Sequence, residues 1–104
     1  MRRLVVGYAA MADFDSIAEY MAEASGSRAA AEDLLEKLYF RCERLARLPG
    51  ALGSPRPELR SDLRSVPESG YIIFFRYLDE VLEIVNVLHG SRDVIVYYDT
   101  GDDR

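Results

Sequence analysis

The 104-residue sequence holds one cysteine, one histidine, one lysine and no tryptophan. Each scarcity removes a class of explanation. Cys42 alone can form no intrachain disulfide, which excludes a disulfide-stapled secreted scaffold and suits a reducing cytoplasm. No group of His, Cys and carboxylates has metal-ligand spacing, so neither a metal nor any other cofactor is expected. A Gly-rich phosphate loop is missing too. No apolar run approaches the roughly 18 to 20 residues of a membrane span, so no membrane association is expected. Met1-Arg2-Arg3 followed by Leu4-Val5-Val6-Gly7-Tyr8 lacks a long apolar region and a small-residue cleavage site. It reads as a first strand rather than a signal peptide, and a cytoplasmic protein is expected.

What remains is enough for one globular domain. Nearly half of the residues are apolar (49%) and the net charge of −5 is moderate, so the chain can bury a single core. Residues 1–98 are expected to form that domain, with 99–104 as a polar tail. The charge is unevenly spread. Residues 1–36 carry three basic and seven acidic side chains, 37–76 carry eight basic and four acidic, and 77–104 carry two basic and seven acidic. A basic middle suits an acidic partner or a phosphate backbone, and it equally suits a solvated helix face followed by a polar loop. Twelve of the chain's thirteen basic residues are arginine, which favours planar, bidentate contacts with carboxylates or phosphates.

Periodicity divides the chain into elements. Residues 3–8 predict a short strand. Phe14, Ile17, Met21 and Ala24 recur at helical spacing and predict an amphipathic helix opening at or just before Asp13. Ser25-Gly26-Ser27 breaks it, and a second helix is predicted over about 28–48 with Cys42 on its apolar face. The short connection makes the pair an antiparallel hairpin. Proline and glycine mark 49–62 as a loop. A short strand at 63–66, a turn around Pro67–Gly70, and strands at Tyr71–Leu78 and Val81–Leu88 follow, with a further strand at Val94–Tyr98. The expected class is therefore α+β: an N-terminal strand, an antiparallel helical hairpin, then a largely antiparallel three- to four-stranded sheet.

If Asp79-Glu80 is the hairpin turn, Arg76 faces Glu83 as a cross-strand ion pair. Strict alternation then puts Ile72, Phe74, Arg76, Glu83, Val85 and Val87 on one face. Tyr71, Ile73, Phe75, Tyr77, Leu82, Ile84, Asn86 and Leu88 fall on the other. Both faces are largely apolar, and the helices can cover only one. The second needs loops, another part of the chain or a partner.

Arg56-Pro57-Glu58-Leu59, Leu63-Arg64-Ser65-Val66-Pro67, Tyr71-Ile72-Ile73-Phe74-Phe75-Arg76 and Ile84-Val85-Asn86-Val87-Leu88-His89-Gly90-Ser91-Arg92-Asp93 follow one another in that order. Together with Ala10, Asp13-Phe14 and Ile17, this series resembles the ParE toxins of the RelE/ParE superfamily of type II toxin–antitoxin systems. The resemblance covers nearly the whole chain. It implies a toxin that is not an enzyme, that inhibits DNA gyrase by protein contact, and that is neutralised by a ParD-like antitoxin. Contact with DNA would be indirect, through antitoxin or gyrase.

The alternatives are a RelE-type, ribosome-dependent mRNA endonuclease and a non-toxic remnant that only binds its antitoxin. For a nuclease the candidate catalytic residues are His89, Arg92 and Arg64, since histidine suits acid–base work near neutral pH and arginines stabilise a phosphorane-like transition state. The bland account has His89 capping its strand and Arg92 paired with Asp93. Arg60, Arg64, Tyr97 and Tyr98 are the expected target-binding residues. Arg56, Arg60 and Arg64 could equally pair with Glu58 and Asp62, and the tyrosines could pack on the sheet. Arg41, Arg44, Arg76, Ile72 and Phe74 are the expected antitoxin-binding residues.

Overall fold

A computed structural model describes residues 2–91. β1 (Arg3–Val6) leads through an extended Gly7 into α1 (Tyr8–Ser25). The first helix starts five residues before Asp13. Ala9, Ala10, Met11 and Ala12 are strong helix formers, so the helix extends back until Gly7 stops it. Gly26, at φ 69°, closes the helix in the left-handed conformation that glycine adopts without strain. The Ser27 side chain then accepts the Ala30 N–H at 3.1 Å and opens α2 (Arg28–Arg47). Arg44 and Arg47 lie in the last turn of α2, where the helix dipole favours positive charge.

The remaining elements are β2 (Ser54–Pro55), β3 (Arg64–Glu68), β4 (Tyr71–Leu78) and β5 (Val81–His89). They form one five-stranded sheet with β1, in the order β1-β5-β4-β3-β2. β1 runs parallel to β5 and every other pairing is antiparallel, so the sheet is mixed. β2 pairs Ser54 with Ser65 and Pro55 with Arg64 inside the segment expected to be loop. Two residues carry no periodic signal, which is why only the structure reveals them. The expected strand at Val94–Tyr98 and the polar tail lie outside the described residues.

Asp79-Glu80 forms a two-residue turn, with Leu78 opposite Val81 and Arg76 opposite Glu83 as the ion-pair argument requires. Asp79 takes φ 53°, a conformation aspartate tolerates better than most residues. The register then slips between Phe74 and Phe75: Phe75 faces Ile84, but Phe74 faces Asn86. Val85 is thus an extra residue in β5, a β-bulge. The bulge reverses the expected faces of two side chains. Val87 joins the core under the helices, while Leu88 joins the cluster on the far side.

The main core packs α1 and α2 on Ile73, Phe75, Leu82, Ile84 and Val87. Cys42 lies inside it, as expected of its helix face, and burial pushes its thiol up to about 12. The bulge is held from the helical side. Asp13 Oδ2 accepts the Val87 N–H at 2.8 Å and the Asn86 side-chain amide at 3.1 Å. Asp13 is therefore not a helix cap. It satisfies a backbone donor that a bulged strand leaves off its ladder.

On the far face, Leu63, Phe74 and Leu88 form a second cluster, extended by Leu59, Ile72 and Val85. The segment after β2 folds back over this cluster. Arg56 and Leu63 bond through their backbones at 2.8 Å, and the Leu59 and Arg60 N–H groups both reach the Arg56 carbonyl. The chain itself thus supplies part of the second cover that the apolar sheet needs.

Candidate functional site

His89 ends β5, opposite Tyr71. Its Nδ1 accepts the Ser91 backbone N–H at 3.2 Å and lies 2.7 Å from Ser91 Oγ. Accepting a backbone donor at Nδ1 places the ring proton on Nε2. The imidazole also meets the Tyr71 ring edge-on, with centroids 5.3 Å apart. Beside it opens a groove of about 470 Å³ between α1 and the end of β5, lined by Ser16, Ile17, Tyr20 and Tyr71 among others. Burial, and then neighbouring Tyr20, raise the Tyr71 hydroxyl above its ordinary value.

Arg64 is not part of this end of the sheet. It pairs with Phe75 on β4, whereas His89 pairs with Tyr71, and β4 lies between their strands. Four residues along a strand and two strands across separate them by roughly 13 Å and roughly 10 Å. Arg64 is instead committed to the loop before β2, donating to the Leu52 carbonyl at 2.7 Å and the Gly53 carbonyl at 3.1 Å. Of the three residues suggested for nuclease chemistry, the two described ones are not brought together. Arg92, like Tyr97 and Tyr98, lies outside the described residues.

The other arginines divide by what they touch. Arg56 donates to Glu58 at 2.7 Å and to Ser65 Oγ at 3.2 Å, and its guanidinium stands over the Phe74 ring at 5.6 Å. The Arg56 hydrogen bond lowers the Glu58 carboxyl from its ordinary value. Arg76 bonds Glu83 at 2.7 Å and Asp62 at 3.3 Å, tying the loop to the hairpin. The Glu83 bond is the main reason its guanidinium is held above the ordinary arginine value. Arg60 is exposed on that loop. Arg41 reaches Glu68 only at 4.0 Å, and its buried Nε makes no hydrogen bond. Arg44 is exposed.

The five residues expected to meet an antitoxin do not form one surface. Phe74 is completely buried under the chain's own loop, so no partner reaches it while that loop is in place. Arg76 is engaged by two carboxylates of its own chain. Ile72 stays partly exposed, and Arg41 and Arg44 lie on α2, on the helical side.

Several exposed apolar side chains escaped the sequence reading. Tyr8, Met11, Tyr20 and Phe40 stand open on the helical hairpin, and Tyr39 is partly exposed while stacked on Phe14 at 4.9 Å. Phe40 was detectable as an aromatic residue off the apolar stripe of its helix. Tyr8 and Met11 were not, because they precede the expected start of α1.

Among the described residues no three His, Cys, Asp or Glu side chains are placed to hold a metal ion, and no helix is long and apolar enough to cross a membrane. Among curated proteins none matches the sequence. A solved structure described as the chromosomal ParDE TA system from P. aeruginosa is similar in fold, with a TM-score of 0.75 at 19% identity, over 86% of this chain and 96% of that one. The sequence family described as ParE toxin of type II toxin-antitoxin system, parDE, matches residues 7–94. With strand, helical hairpin and hairpin sheet in this order, and the family's match running from the start of α1 past the end of β5, the chain belongs to the ParE toxin family.

Proposed function

We propose that this ParE-family toxin inhibits DNA gyrase by protein contact, not by catalysis, and is held inactive in the cytoplasm by a ParD-like antitoxin. The observation that carries the non-catalytic reading is the separation of Arg64 from His89 by one intervening strand and four residues of register. A phosphate-cleaving site needs its charge-stabilising and proton-transferring groups within one contact shell. Here the histidine is bound to Ser91 and the arginine to loop carbonyls. Tyr8 and Met11, both exposed and three residues apart on α1, support an interaction role, since neighbouring exposed apolar side chains mark contact surfaces. The target-binding surface is proposed around Arg60, next to Arg64, together with Tyr97 and Tyr98. The antitoxin's acidic, apolar tail is proposed to meet Arg41 and Arg44 and the exposed part of Ile72.

The decisive experiment is gyrase supercoiling of relaxed plasmid with rising toxin, with and without the product of the neighbouring antitoxin gene. The expected result is loss of supercoiling that the antitoxin restores. Unchanged supercoiling and no trapped cleaved DNA would remove gyrase as the target. Codon-specific cleavage of mRNA on translating ribosomes, lost in His89→Gln, would establish the endonuclease reading instead.

A further inference from the structure

α2 buries Ala31, Leu34, Leu38, Cys42, Leu45 and Ala46 against the sheet and α1, and turns its opposite side outward. Asp33, Glu36, Lys37, Phe40, Glu43, Arg44 and Arg47 make up that outer side, and all are exposed. They recur at spacings of three and four, so they form one continuous stripe along the helix. Phe40, 55% exposed, stands at its centre. Beside it lies a hollow of about 430 Å³ lined by Glu36, Lys37, Tyr39, Phe40 and Glu43.

The charges on this stripe are ordered. Asp33 and Glu36 lie before Phe40, and Arg44 and Arg47 lie after it, with Lys37 and Glu43 between. The helix dipole favours acidic side chains early and basic ones late. Asp33 and Lys37, and likewise Glu43 and Arg47, are also four residues apart on one helix, a spacing that suits ion pairs. Yet among the described residues none of these six side chains is engaged in an ion pair. The stripe therefore offers ordered charges that its own chain does not use.

A second α2 laid antiparallel, with Phe40 on the twofold axis, answers every one of them. Lys37 then faces Glu43 of the other copy, Glu36 faces Arg44, and Asp33 faces Arg47. Symmetry repeats each pair, as in any isologous contact. The hollow beside each Phe40 lies where the other copy's ring arrives, a knob entering a hole. Other arrangements fail on charge. A parallel pair sets each residue against itself. Sliding one helix by a turn sets Lys37 against Arg47, or Asp33 against Glu43. α1 offers no alternative, because its exposed charges, Asp15, Glu19 and Glu23, are all acidic.

We propose that the outer face of α2 is a self-association surface, on which two copies of this chain pack antiparallel about Phe40. This goes beyond the toxin reading above and does not depend on it.

Sedimentation equilibrium of the full chain alone tests it, since Arg44 is also proposed to meet the antitoxin. The expected behaviour is a monomer–dimer equilibrium with a Kd of roughly 10–500 µM, as suits a small, transient contact. Phe40→Ala should weaken the dimer by about tenfold or more. Glu36→Arg sets like charges against Arg44 of the other copy, and Arg44→Glu does the same against Glu36. Each should weaken association by about tenfold or more. An equimolar mixture of these two variants restores both opposite-charge pairs in the mixed dimer, which should return to within about threefold of the wild-type Kd. Damage to folding cannot be repaired by mixing, so the rescue reads the contact itself. A chain that stays monomeric at about 1 mM would overturn the proposal. A dimer of wild-type strength in either charge variant would show that another face is used, and would overturn it too. A mixture that associates no better than its separate components would count against this register and overturn the antiparallel pairing.

Discussion

At the β2–β3 edge the chain closes its own sheet. β2 pairs with Ser65, Arg64 binds the Leu52 and Gly53 carbonyls, and the segment from Arg56 to Leu63 folds over Phe74. At the β1 edge nothing comparable happens. Four residues lie against β5, their outward backbone groups meet no described strand, and the next side chain, Tyr8, is almost wholly exposed. An exposed edge strand is an aggregation hazard that proteins normally blunt with proline, charge or cover. One edge here has a proline and a cover, and among the described residues the other has only Arg3. The difference teaches that, among the described residues, the fold concentrates its edge-closing contacts on one side of the sheet.

If that contrast is real, the largest losses of stability belong to the closed side. Phe74→Ala removes the centre of the far-face cluster, a fully buried ring with Leu63 and Leu88 against it. It should cost about 3–5 kcal/mol in urea unfolding. A loss below about 1 kcal/mol would mean that the loop is only loosely laid over the sheet.

Next comes the bulge. Asp13→Ala leaves the Val87 N–H and the Asn86 amide without their carboxylate. Loss of a partly buried, charge-assisted pair of bonds should cost about 1.5–3 kcal/mol. Asp13→Asn keeps one acceptor oxygen and should recover part of the loss, which separates the bond from general disruption of α1.

Gly53→Ala tests the close approach of β2 to β3. Gly53 sits at φ 72°, and a Cβ there would meet the Ser65 carbonyl oxygen at 2.6 Å and the Phe75 ring at 2.9 Å. Backbone strain of this kind costs about 1–3 kcal/mol, read as a lower unfolding midpoint. Equal stability would show that the edge can open without penalty.

These sites also mark how far the sequence could be read. The hairpin turn and the Arg76–Glu83 pairing were legible because a two-residue break and an opposite-charge pair fix the register locally. The bulge was not, since one extra residue leaves no mark in an apolar run that is buried on both faces. That is why Val87 and Leu88 changed sides. Asp13 was visible as a helix-opening type, but its partners, Asn86 and Val87, are far away in sequence. The parallel pairing of β1 with β5 is equally non-local, so the open edge could not be foreseen. Phe74 could be seen as apolar and on the sheet face of Ile72 and Val85, but which face the helices take could not. Whether a partner or the chain's own loop would cover it could not, because loop 49–62 has no periodic pattern.

Cys42 gives a reference inside the core shared by both sides. Its folded value of about 12 lies above the ordinary 9.0. The stability that goes with the buried neutral thiol is therefore complete below pH 9, and it fades as pH rises toward 12, because the unfolded chain ionises first. At pH 10 the difference amounts to about 1 kcal/mol. Unfolding free energies of wild type and Cys42→Ala, measured from pH 8 to 10.5, should converge as pH rises. Parallel curves would show that the thiol ionises equally in both states. At pH 8 a thiol reagent should label the native chain only as fast as it opens.

The smallest effect belongs to the open side, and its sign carries the information. α1 begins at Tyr8 without a side-chain cap and without an acidic residue in its first turn. The helix's own first turn therefore offers its N-terminal dipole no negative charge, and the carboxylate that stands beside Gly7, that of Glu83, is bonded to Arg76. Replacing Tyr8 by Asp removes an exposed aromatic ring and supplies the missing negative charge, and should raise stability by about 0.3–1 kcal/mol at low ionic strength. If Tyr8 instead packed into the fold, the same change would lower stability, and the contrast between the edges would weaken. A tyrosine kept where aspartate folds better points to a use outside folding. Tyr8→Asp should accordingly weaken the antitoxin complex while the toxin alone becomes harder to unfold. Thermal unfolding of the toxin and titration with its antitoxin, done on the same variant, read the two signs separately. A gain in stability with unchanged affinity would place the antitoxin contact away from the start of α1.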